Sequence, residues 1–108
     1  MKRFTTKSKE NSLNSEKVKN YLGLCRKAGY LIIGGDNLKK YDKKMFLLLV
    51  DSEVSKTLQK IINKFEENEV ECIVLENLAS LVDIENCKIV GVKNKGLAVE
   101  IIKNIRGE

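Results

Sequence analysis

Apolar residues recur at helical and strand periods along most of this chain. Val18, Tyr21, Leu22, Cys25 and Ala28 form the stripe of an amphipathic helix. Asn14 is placed to cap that helix, with Leu13 stapled against Val18. Gly29 ends it, and Arg26 and Lys27 complement its negative C-terminal end. Residues 30–33 predict a short buried strand, Gly34-Gly35 a turn, and Asp36 the cap of a short helix with Leu38 and Tyr41 on its apolar side. After Lys43-Lys44 comes an unbroken apolar run, 45–50, the pattern of a strand covered on both faces. Asp51 or Ser52 is expected to cap the next helix. Val54, Leu58, Ile61, Ile62 and Phe65 form its inner stripe, and Lys56, Lys60, Lys64, Glu66 and Glu67 its outer face. Residues 72–75 predict another buried strand, Leu78, Leu81 and Val82 a short helix, 84–88 a loop, and 89–92 a fourth strand. A turn at 93–96 leads into a last helix with Leu97, Ile101, Ile102 and Ile105 inward.

Helices and strands alternate throughout, and the central strands are apolar on both faces. The pattern predicts a three-layer α/β/α sandwich: one small, largely four-stranded mixed sheet with helices on both faces. Residues 1–12 are polar and basic without hydrophobic period, and are expected to be a mobile arm before a single domain over 13–108. At 108 residues the chain is long enough to bury a core. No apolar stretch has the length of a membrane span, and the N-terminus lacks the apolar core of a secretory signal, so a cytoplasmic protein is expected.

Charge sharpens the picture. The net value is +5, but residues 1–47 carry 12 Lys/Arg against 4 Asp/Glu, 48–87 carry 3 against 9, and 88–108 carry 5 against 2. Basic ends and an acidic middle suit a polyanion partner if the two basic segments meet in the fold. There is no histidine, which removes the commonest general base, and the three cysteines are widely spaced. Neither a zinc site nor a disulfide framework is expected; Cys25, Cys72 and Cys87 read as small apolar side chains.

Three stretches invite a chemical reading. Gly29 and Gly34 have the spacing of a phosphate-binding P-loop, but the loop needs Lys and Ser/Thr after its second glycine, and Gly35-Asp36 stands there. The residues between are strand-like, so the nucleotide reading fails. Asp51 follows a buried strand, where carboxylates in some α/β enzymes hold magnesium or accept phosphate; helix capping is the competing role. The turn Gly34-Gly35-Asp36-Asn37 with Lys39, Lys40, Lys43 and Lys44 suits an anion, and Lys27 with Lys93, Asn94 and Lys95 tilts that reading towards a polyanion.

The segment 22–36, Leu-Gly-Leu-Cys-Arg-Lys-Ala-Gly-Tyr-Leu-Ile-Ile-Gly-Gly-Asp, resembles the opening signature of the bacterial branch of the ribosomal L-seven-Ae/L-thirty-e family. The stretch 90–98, Val-Gly-Val-Lys-Asn-Lys-Gly-Leu-Ala, is similar to its closing signature, and the resemblance runs in order over about 15–105. It implies a three-layer sandwich that binds RNA at kink-turns, acting in ribosomes or other ribonucleoproteins by docking. No catalysis, cofactor or metal is implied, and the expected partner is structured RNA, with no membrane and a monomeric protein. In the family's first contact pattern, Gly-x-Asn-Glu-x-x-Lys, Gly35 and Asn37 match, while Leu38 and Tyr41 replace Glu and Lys. Asn37 is the implied base contact, and Lys27, Lys39, Lys40 and Lys43 hold phosphates around Gly34, Gly35 and Asp36. In the second pattern, Leu-Gly-x-Ala-x-Gly-Ile-Glu, Leu78, Ile84 and Glu85 match; Ala79 and Asp83 replace the glycines, and Leu81 replaces the Ala. There Ile84 and the loop to Lys88 are expected to pack on an exposed base. The alternatives are the same fold without kink-turn specificity, serving protein interaction or non-specific RNA binding, and a phosphate-handling enzyme centred on Asp51.

Overall fold

The structure is a computed structural model that describes residues 2–4 and 14–107. Its elements are β1 (Lys2–Phe4), α1 (Ser15–Ala28), β2 (Leu31–Ile33), α2 (Gly35–Lys40), β3 (Leu47–Asp51), α3 (Lys56–Glu67), β4 (Cys72–Leu75), α4 (Leu78–Val82), β5 (Ile89–Val92) and α5 (Lys95–Arg106). The strand order is β1-β4-β3-β5-β2. β1 and β3 run parallel to β4, while β5 is antiparallel to both β3 and β2. The four expected strands thus form a mixed sheet, with β1 added at the edge. Lys2–Phe4 therefore corrects the expected arm: these residues pair with Ile73, Val74 and Leu75. The remainder of that segment, and Leu13 with its expected staple, lie outside the described residues.

Alternation along the strands divides the core in two. Leu47, Leu49, Ile73, Leu75, Val90 and Val92 face the layer of α1, α4 and α5, where they meet Val18, Leu22, Cys25, Leu78, Ala98 and Ile101. Leu48, Val50, Cys72 and Ile89 face α2 and α3, against Leu38, Ile61, Ile62 and Phe65. β3 is buried along its whole length, as its unbroken apolar run predicts. β2 differs from expectation. It begins at Leu31 and is only half-buried, because it lies at the sheet's edge.

Local chemistry sets the helix ends. The Asn14 side chain accepts from the Lys17 N–H, and Gly29 closes α1 in a left-handed conformation. The Gly29 and Tyr30 N–H groups donate to the Arg26 and Cys25 carbonyls, which makes the end a Schellman motif. Ser55 caps α3, in place of the expected Asp51 or Ser52. The shift is physical, since Asp51 is still paired in the sheet and Ser52 donates its N–H to the Leu75 carbonyl. α2 starts two residues earlier than an Asp36 cap would place it, at Gly35 with Gly34 in the cap position, so Asp36 lies inside its first turn and caps nothing.

Two glycines seat the short α2. A Cβ on Gly91 of β5 would come within 2.8 Å of Leu38 Cδ2 and 2.6 Å of Met45 Cε, so its absence lets both side chains lie directly on the sheet. A Cβ on Gly35 would meet Leu58 Cδ2 at 2.5 Å, which brings α2 tight against α3. Among the described residues, no helix is long and apolar enough to cross a membrane.

Candidate nucleic-acid interface

Because β2, β3 and β4 share one direction and β5 opposes them, the segments after Ile33, Asp51 and Leu75 meet the segment before Ile89 at one end of the sheet. The two stretches singled out by the sequence, around Gly35 and before Lys88, are brought together there. The Gly34 N–H donates to the Ile89 carbonyl at 3.1 Å, and the Asp51 N–H donates to the Lys88 carbonyl at 2.8 Å. Gly34 has φ 86° and ψ 153°, a region open essentially to glycine alone. Asn37 is exposed, and its Nδ2 donates to the Ile33 carbonyl at 2.8 Å, which fixes how the amide is presented. Lys39 and Lys40 are exposed on the last turn of α2. The Lys64 ammonium, 3.4 Å from the Lys39 and Tyr41 carbonyls, satisfies that helix end.

The second stretch is shaped by left-handed residues. Asn77 and Asp83, flanking α4, and Asn86 have φ of 58°, 57° and 59°. Asp83 takes a left-handed conformation of the kind glycine supplies, as Asp does more readily than most residues. Ile84 does not offer itself freely to a base; it is half-buried against the core. Glu85 is exposed. The Lys88 ammonium lies 3.5 Å from Asp51 and 3.8 Å from Glu53, so its charge is already compensated.

Asp51 is the one buried charged residue of the described core, 5% exposed. One carboxylate oxygen accepts from the Glu53 N–H at 3.0 Å and the other from the Leu78 N–H at 2.9 Å. It therefore caps a helix, as its competing role required, but that helix is α4, whose own N-cap residue Asn77 makes no side-chain cap bond. Burial pushes its carboxyl up; the two N–H groups and the Lys88 charge outweigh burial and hold it below its ordinary value of 3.8.

The remaining expected contacts lie elsewhere. Lys27 lies in the last turn of α1, before β2 starts, Lys43 precedes β3, and Lys93 and Lys95 follow β5. The strand directions put all of them at the opposite end of the sheet. The basic C-terminal segment does not join the glycine turn; it joins Tyr30, whose carbonyl accepts from the Lys93 N–H at 2.8 Å. Tyr30, expected in a buried strand, is 40% exposed. Its position next to Gly29 and beside Lys93 was not legible as an aromatic surface without the pairing of β2 with β5.

All three cysteines are buried and free. Burial pushes the Cys25 thiol up to about 11 and Cys72 up to about 12, and raises Cys87 as well. Burial and these shifts both disfavour the thiolate at neutral pH. Among the described residues, no group of three or more Cys, Asp or Glu side chains is disposed to hold a metal ion.

No family model matches this chain, and no curated protein does. Among solved structures it is similar to one from Bacillus halodurans, described as a protein with unknown function. The two share 22% identity and a TM-score of 0.73, over 82% of this chain and 96% of the other. That likeness extends to the fold: the sandwich seen here occurs in another chain along nearly its whole length.

Proposed function

We propose that this protein is a non-enzymatic RNA-binding protein of the ribosomal L-seven-Ae-like kind. It would dock on kink-turn or similarly bent RNA as a cytoplasmic component of the ribosome or another ribonucleoprotein. One observation carries the reading. The Gly35–Lys40 turn and helix and the loop ending at Lys88, far apart in sequence, sit side by side at one end of the sheet. Asn37 presents an anchored amide there for base edges, and Lys39 and Lys40 have no acidic partner among the described residues. Bent RNA with unpaired bases is the fitting target class, since regular A-form helices hide their base edges from side chains. The lysines position the RNA and make binding salt-dependent without specifying sequence. Asp51, with both oxygens engaged, serves the fold in this reading.

Titration against a kink-turn RNA and a straight duplex at two salt concentrations tests the proposal. Preference for the kink-turn, weakened by Asn37→Ala while duplex binding is unchanged, is the expected result. Equal, wholly salt-driven binding to both would refute it. The compensated Lys88, with Asp36 and Glu85 exposed nearby, favours one second reading: the same fold without kink-turn specificity. Equal binding is the outcome that reading expects.

A further inference from the structure

The end of the sheet opposite the glycine turn carries a surface of its own. Tyr30, Lys93 and Phe46 flank β2, β5 and β3, which are neighbours in the strand order. The Lys93 N–H donates to the Tyr30 carbonyl at 2.8 Å, and the Phe46 N–H donates to the Val92 carbonyl at 3.0 Å. The Tyr30 backbone is also fixed from the other side, by its N–H bond to the Cys25 carbonyl at 2.8 Å. An aromatic side chain is thus held on rigid backbone while remaining 40% exposed.

Cations stand on the elements that end at this side of the sheet. Arg26 and Lys27 are exposed in the last turn of α1, and Lys95 is exposed in the first turn of α5, whose positive dipole end lies on the same side. Among the described residues, none of Arg26, Lys27, Lys93 or Lys95 has an acidic partner. Lys43 and Lys44 are set apart from this group, because Asp42 and Glu69 line the same trough. At the glycine-turn end Lys88 is paired with Asp51 and Glu53. Here Arg26 and Lys27 share a groove with Asp83, their one acidic neighbour in it, and Lys93 and Lys95 lie in no ion pair among the described residues.

We propose that this end binds single-stranded nucleic acid, with an unpaired base stacked on Tyr30 and Arg26, Lys27, Lys93 and Lys95 holding the adjoining phosphates. An exposed planar ring at the same end as several cations is the combination that single strands need, since every base has a face to stack and every linkage a charge. The surface is independent of Asn37 and lies beyond the kink-turn reading.

Binding of labelled oligo(U) and oligo(dT) to the full chain, with heparin as competitor, tests it. Wild type binds oligo(U) with salt dependence. Tyr30→Ala lowers affinity about tenfold, and Tyr30→Phe, which keeps the ring, restores it. Lys93→Gln reduces the slope of log affinity against log salt by about 0.7. Similar affinity for oligo(dT) means the strand class alone is read; preference for oligo(U) means the ribose is read as well. Absence of kink-turn preference in wild type, together with Tyr30-dependent oligo(U) binding, overturns only the earlier proposal. No binding by wild type, a silent Tyr30→Ala, failure of Tyr30→Phe to rescue, or equal displacement by heparin of wild type and Tyr30→Ala overturns this one.

Discussion

Asp51→Asn should be among the more damaging single-atom changes available in this chain, and the structure sets its size. Each carboxylate oxygen serves a different backbone donor, Glu53 N–H at 3.0 Å and Leu78 N–H at 2.9 Å. An amide has one oxygen, so one donor is left facing an NH2 group in a site 5% exposed, which costs about 1–3 kcal/mol. The surviving bond loses its charge, a further loss of about 1 kcal/mol. The Lys88 pair adds little, under about 1 kcal/mol, because Lys88 is 40% exposed and screened. The expected loss is about 2–4 kcal/mol, or roughly 10–20 °C in Tm for a domain of this size.

Urea unfolding followed by circular dichroism measures it, and acid gives a second signature. Since the folded carboxyl lies below its ordinary 3.8, its stabilisation is whole above that value and is lost as pH falls through the lower folded one. The gap between wild type and Asp51→Asn should hold from neutral pH down to the ordinary carboxylate range and close below it. A loss under about 0.5 kcal/mol would refute the capping account. A stable variant that lost a magnesium-dependent phosphate turnover shown by wild type would make Asp51 catalytic.

Two glycines with open space around them should respond in opposite directions to alanine. Gly23 is helical and exposed in α1, and an added Cβ would meet nothing within 4 Å, so Gly23→Ala should stabilise by about 0.5–1 kcal/mol. Gly34 is equally free of neighbours but has φ +86°, so Gly34→Ala should destabilise by about 1–3 kcal/mol through the backbone alone; matched effects in urea unfolding would contradict the argument. For the thiols, burial with the raised Cys25 and Cys72 values predicts that labelling of native protein at about pH 8 is slow, and that it follows unfolding. Rapid labelling of any one of the three without unfolding would show an exposed thiol.

Much of the local structure was legible in order. The limits of α1 follow from Asn14 and Gly29, and β4, α4 and β5 fall where their apolar runs lie, because caps and periods act within a few residues of themselves. What the chain's own pattern left open was which ends meet. The antiparallel placement of β5 decides this: it brings Lys88 beside the glycine turn and carries Lys93 and Lys95 away to Tyr30, dividing one expected basic face into two ends of different character. Asp51 makes the same point on a smaller scale. Its chemistry as a cap could be read from its position after a strand, but the helix it caps begins at Leu78, and only the parallel pairing of β3 with β4 sets that N–H before it. β2 reads as apolar enough for the interior and is half-exposed because no strand follows it in the sheet. Helix ends and strand runs are local equilibria of a few residues, whereas sheet order, and with it the company each lysine keeps, is settled by contacts between segments that the sequence holds far apart.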